Sequence, residues 1–93
     1  MHKLLYLSWV RQDLADIHDY IAEDNLFYAQ DVIDKITHSI ARLPVFPLIG
    51  TKIDTYTRCI VEPRYRYTIV YRVVEDTLYI VSIFKYRESW QDS

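Results

Sequence analysis

The sequence predicts an α+β domain: one strand, a helix hairpin, then a three-stranded antiparallel sheet. Three observations predict it. Apolar residues recur at helical spacing in two blocks between residues 10 and 43. Residues 64–87, "RYRYTIVYRVVEDTLYIVSIFKYR", alternate at strand spacing instead. One glycine and three prolines in 93 residues leave little room for long loops. That length suits a single domain spanning residues 1–93.

Leu4 to Ser8 reads as a short strand at a sheet edge, and Ser8 as the N-cap of the first helix. Val10, Leu14, Ile17 and Ile21 form the apolar stripe of that helix. Asp13, Asp16 and Asp19 fall largely elsewhere on its wheel and read as a solvated face. Glu23-Asp24-Asn25 breaks the pattern. A second stripe then runs through Ala29, Val32, Ile33, Ile36, Ile40 and Leu43, and Pro44 and Pro47 end it. Gly50 marks a turn. Thr57 to Glu62 reads as a strand, which Pro63 interrupts.

The last two strands meet at Glu75-Asp76. Successive strand side chains point to opposite faces. A strand beginning at Arg64 would therefore place Tyr65, Tyr67, Ile69, Tyr71 and Val73 on one face, and Arg64, Arg66, Thr68, Val70 and Arg72 on the other. The tyrosine face packs under the helix hairpin; the arginine face is left uncovered. Ile17, Ile21, Val32, Ile36, Ile40, Ile69, Tyr71 and Val81 are the expected core. Trp9 is expected to pack at the junction of strand and first helix. Ser89 to Ser93 reads as a tail.

Composition narrows the function classes. Hydrophobic residues make up 51% and aromatic residues 15%, enough for a real core and too much for disorder. The formal charge of -2 conceals a split. Residues 1–41 hold three Lys/Arg against seven Asp/Glu, and residues 42–93 hold eight against six. That asymmetry argues against a uniform nucleic-acid coat and allows a local basic site. Cys59 stands alone, so no internal disulfide can form. His2, His18 and His38 have no ligand spacing, so no metal and no cofactor is expected. The N-terminal apolar run is too short for a signal peptide, and no segment reaches membrane-spanning length. A cytoplasmic protein without a membrane partner is the simplest expectation.

Four stretches carry a resemblance: "LSWVRQDLADIHDYIAEDN", "AQDVIDKITHSIARLPVFPLIG", "TRCIVEPRYRYTIVYRV" and "DTLYIVSIFKYRESW". In this order they resemble the RelE/ParE superfamily of bacterial toxins from type II toxin–antitoxin modules, over nearly the whole chain. The resemblance implies a small toxin held by a cognate antitoxin, with operator DNA reached only through the antitoxin. It implies one of two targets. ParE-like members inhibit DNA gyrase without catalysis; RelE-like members cut messenger RNA on the ribosome. RelE-like enzymes tend to carry arginine after the tyrosine matching Tyr67, where this chain has Thr68. That departure favours the gyrase branch. Many members carry histidine where this chain has Lys85.

The candidate target-binding residues are Arg64, Arg66, Arg72, Lys85, Tyr86, Arg87 and Trp90. If the chain is instead a metal-independent endoribonuclease, Arg64, Arg66, Lys85 and Arg87 are the catalytic candidates. Cations would stabilise phosphate charge, Lys85 would move a proton, and Glu62 or Glu88 would act as base. Tyr86 or Trp90 would stack on a base. Ordinary strand-edge cations with no partner are the alternative, and an antitoxin-binding relic without activity is the third reading.

Overall fold

A computed structural model describes residues 1–85; Tyr86, Arg87, Glu88 and Trp90 lie outside the described residues. The chain runs β1 (Lys3–Tyr6), α1 (Ser8–Ala22), α2 (Leu26–Ala41), β2 (Thr51–Lys52), β3 (Thr57–Val61), β4 (Tyr67–Val74) and β5 (Thr77–Lys85). The helix hairpin stands where the stripes put it. Asn25 caps α2, its side-chain oxygen accepting from the Tyr28 N–H at 3.0 Å. Ser8 is not the cap of α1. Leu7 holds that position without a side-chain bond, and Ser8 is already the first helical residue.

The three-stranded antiparallel sheet expected from the sequence is a five-stranded mixed sheet of order β1-β5-β4-β3-β2. The three long strands are antiparallel as expected. β1 adds at one edge, parallel to β5, with Leu4 opposite Leu78 and Tyr6 opposite Ile80. The helix hairpin supplies the crossover that a parallel pair needs. β2 adds two residues at the other edge.

Both helices cover one face. Val10, Val32, Ile36, Ile40 and Leu43 meet Tyr67, Ile69, Tyr71, Leu78, Ile80 and Ile83 in one core. Ile17 and Ile21, expected deep, are half-buried at its margin. Val81 is not in the core. The β4–β5 register slips between Val70 and Tyr71: Val70 pairs with Ser82, and Tyr71 with Ile80. Val81 is the unpaired extra residue of a β-bulge, and one extra residue inverts the alternation beyond it. Ile80 and Ile83 therefore both face inward. Trp9 is more than half exposed, and its indole N–H donates to the Val81 carbonyl at 2.8 Å.

The chain returns from α2 to β2 beneath Tyr71. The buried Tyr71 hydroxyl donates to the Pro47 carbonyl at 2.8 Å and accepts from the Gly50 N–H at 3.0 Å. A Cβ on Gly50 would lie 2.6 Å from that hydroxyl oxygen and 2.8 Å from the Cys59 carbonyl oxygen. The glycine is there for the close approach.

Three substitutions check this packing by urea denaturation. Ile36→Ala, at a fully buried site, should cost about 2–5 kcal/mol. Gly50→Ala should cost about 1–3 kcal/mol from overpacking, and adding Tyr71→Phe should not restore stability, because the ring carbon at 2.9 Å and the Cys59 carbonyl still obstruct and the loop loses both hydrogen bonds to the hydroxyl.

Candidate functional site: cations around an aromatic groove

The sequence placed Arg64, Arg66 and Arg72 together on one sheet face. The structure separates them. Pro63, Arg64 and Tyr65 form a turn, and β4 begins only at Tyr67. Arg64 and Arg66 are thus exposed on a loop between β3 and β4. Tyr65 leaves the strand alternation with them. Arg72 does sit on the face turned away from the helices, 5.9 Å from the Tyr56 ring centroid. Its row is Leu5, Tyr79, Arg72 and Thr57. Val70, Cys59 and Ser82 make the next row. Among the described residues, the face turned away from the helices is therefore mainly apolar and uncharged.

Lys85 joins the turn. Tyr67 pairs with Lys85 across the β4–β5 ladder, and the Lys85 ammonium lies 5.6 Å from the Tyr67 ring centroid. Arg66 immediately precedes Tyr67. One end of the sheet so gathers Arg64, Arg66 and Lys85. Arg72 lies five residues along β4, about 17 Å away at strand rise. Among the described residues, none of these four cations has a carboxylate within ion-pair distance; the only two ion pairs are His18–Asp19 and Lys35–Asp31.

Glu62 dictates the turn. Only 1% of it is exposed. Its two carboxylate oxygens accept from the N–H groups of Arg64 and Tyr65, each at 2.7 Å. Its backbone N–H donates to the Tyr67 carbonyl at 2.8 Å, and its carbonyl accepts from the Arg66 N–H at 2.9 Å. Arg66 takes a left-handed conformation, φ 68°. A chain bent this way cannot continue the strand, which is why the sequence alternation overshoots at Arg64. Glu62 is also unsuited to the role of general base, since both oxygens are committed to backbone donors.

Tyr65 ties the turn to α2. Its hydroxyl donates to Asp31, and Asp31 also accepts from Lys35 at 3.0 Å. The Tyr65 ring meets Tyr28 edge-on at 5.1 Å, and the Arg64 guanidinium lies 5.6 Å from the same ring centroid. Tyr28 in turn lines a groove of 430 Å³ with Asp16, Ile17, Tyr20, Ile21, Tyr67 and Lys85. Aromatic rings thus connect Arg64 to Lys85 around the groove. Burial pushes the Tyr67 phenol up. The groove has the apolar floor and few polar groups of a recognition site. Tyr28, Asp31 and Asp16 were missed in the sequence. Asp31 and Lys35 stand four apart on α2 and read as an ordinary helix pair; nothing in the pattern announces a tyrosine arriving from residue 65.

No metal site competes for these residues: among the described residues no group of three His, Cys, Asp or Glu could hold an ion. His18 instead meets Gln30 at 3.1 Å, joining the two helices. Among the described residues no helix is long and apolar enough to cross a membrane.

The Tyr65 hydroxyl holds the Asp31 carboxyl below its usual range, with the Lys35 contact adding to the effect. A depressed carboxyl contributes stability that is present above its unfolded value of about 3.9 and is lost as pH falls through the folded value. Asp31, in turn, raises the Tyr65 phenol. Tyr65→Phe should therefore move the Asp31 midpoint up toward about 3.9, read by NMR titration of the carboxyl. An unchanged midpoint would contradict the assigned cause.

The whole architecture has a known counterpart. It matches the chromosomal ParDE toxin–antitoxin system from P. aeruginosa with a TM-score of 0.79 and 19% identity, covering 94% of this chain and 98% of that one. At that identity the likeness concerns the fold. No protein with a curated description matches. The family model described as the ParE toxin of type II toxin–antitoxin system, parDE, matches residues 5–90. With nearly every residue from β1 onward inside that match, the chain belongs to the ParE toxin family of type II toxin–antitoxin systems.

Proposed function

We propose that this toxin inhibits growth by binding DNA gyrase and that a cognate antitoxin neutralises it. The observation that carries the target reading is the state of the cations. Arg64, Arg66 and Lys85 gather at one sheet end, exposed and without carboxylate partners among the described residues. Glu62, which the sequence offered as a base, is committed to the turn, and Asp16, which lines the groove with Lys85, accepts from the Gln12 amide at 2.9 Å. Unpaired cations beside an apolar groove suit recognition of an acidic protein surface, where charge speeds association and apolar burial supplies affinity. Arg72 forms a second contact at a distance. Tyr86, Arg87 and Trp90 keep their proposed target-binding role from the sequence. The antitoxin partner is supported by the family and by the ParDE neighbour.

Expression of the chain alone should arrest growth, and co-expression of its antitoxin should restore it. Purified protein should block gyrase supercoiling and leave ribosome-bound messenger RNA intact. Arg66→Ala and Lys85→Ala should each weaken gyrase inhibition about two- to fivefold, the scale of about 0.5–1 kcal/mol for exposed charge pairs, and more at low salt than at high. Messenger RNA cleavage lost about a hundred- to thousandfold in Lys85→Ala would replace this reading with the endoribonuclease one. Unchanged growth on solitary expression would leave the inactive relic.

A further inference from the structure

We propose that Glu62, Tyr65 and Asp31 are positioning residues, which hold the turn before β4 in one conformation so that Arg64 meets the target at a fixed place. The inference rests on the gyrase-binding reading above. Three independent features of the turn point to it.

The first is the burial of Glu62. A carboxylate 1% exposed loses its hydration, and such a group persists only where hydrogen bonds replace the lost water. Its hydrogen-bond partners are two N–H groups of the turn itself, at 2.7 Å each. An ordinary solvated loop has no use for that arrangement; water would satisfy those donors.

The second is the backbone of Arg66. A non-glycine residue at φ 68° is strained, and such strain survives only when the surroundings over-determine it. Glycine would remove the strain. Arginine keeps it, and keeps a cation at that point.

The third is the second anchor. Glu62 fixes the turn from the β3 side; Tyr65 fixes it from the helix side, through Asp31 on α2 and the edge contact with Tyr28. Arg64 lies against the Tyr65 ring, so whatever holds Tyr65 also narrows the range of Arg64. A side chain ordered before binding loses less entropy on binding. Arg72 shares none of these contacts and serves as the internal control.

A double-mutant cycle on gyrase inhibition tests this, with thermal stability recorded for every variant. Tyr65→Phe keeps the ring and removes only the hydroxyl. It should weaken inhibition about two- to tenfold, the ordering cost of one long side chain. Combined with Arg64→Ala it should add nothing beyond Arg64→Ala alone. Combined with Arg72→Ala the two losses should multiply. Asp31→Asn, whose amide oxygen can still accept from Tyr65, should stay near wild type, whereas Asp31→Ala should match Tyr65→Phe. Equal multiplication with Arg64→Ala and with Arg72→Ala would overturn the proposal and leave the tie merely structural. Backbone amide exchange at Arg64 and Tyr65 provides a readout that needs no target: Tyr65→Phe should quicken it several-fold, and equal rates would also overturn the proposal. Wild-type protein without effect on supercoiling would remove the gyrase reading alone, and the exchange rates would then decide the clamp.

Discussion

Tyr71 is the side chain on which the layout depends. It is fully buried in the middle strand of the sheet, and a buried phenol must find hydrogen-bond partners. It finds them in the loop that leaves α2, at Pro47 and Gly50. That pair of bonds fixes where the chain passes under the sheet, and so where β2 joins β3. Arg58 reinforces the crossing by donating to the carbonyls of Leu48 and Gly50. A phenylalanine would fill the same volume but leave that loop without its central tie.

The other end of β4 is organised in a comparable way, with a carboxylate in place of a neutral hydroxyl. Glu62 is buried, and its oxygens hold a turn as the Tyr71 hydroxyl holds a loop. In both places a buried polar side chain converts an irregular segment into a defined one: the Tyr71 hydroxyl by accepting from one N–H and donating to one carbonyl, Glu62 by accepting from two N–H groups. The difference is what the segment carries. The Tyr71 loop exposes Val45, Phe46, Leu48 and Ile49; the Glu62 turn exposes Arg64 and Arg66. Strand β4 is the rigid element between them.

Most elements were legible from periodicity. Both helices, the break at Glu23 to Asn25, and the Glu75-Asp76 turn arise from spacing and from residue types with strong local preferences. Three features were not legible, for physical reasons. A bulge at Val81 adds one residue without changing the apolar character of the strand, so Val81 and Ile80 look alike in sequence. The turn at Arg64 continues the tyrosine–arginine alternation of β4, and only a buried carboxylate two residues earlier marks its end. The parallel pairing of β1 depends on where a hairpin of two helices returns the chain, which no local pattern encodes. The site suffered most from the second of these. The structure brings Arg64, Arg66 and Lys85 to one sheet end, off the face where the alternation put the arginines, and leaves Arg72 further along β4.

The corrected placement alters what the site can do. Three arginines in a row on an open sheet would form a uniform electrostatic face, suited to a phosphate backbone. The structure instead sets two arginines on a shaped turn and a lysine over a tyrosine ring, beside a groove whose α1 wall carries Asp16. Mixed charge around an apolar floor penalises a polyanion, because the carboxylate repels the phosphates that the cations attract. It tolerates a protein surface, where acidic and apolar side chains can be distributed to match. The acidic first half of the chain works in the same direction: Asp16, Asp19, Glu23 and Asp24 are exposed along α1 and the hairpin tip, so a nucleic acid reaching the groove would meet them. Charge geometry and the commitment of Glu62 to the turn therefore both favour a site that binds protein over one that cuts RNA.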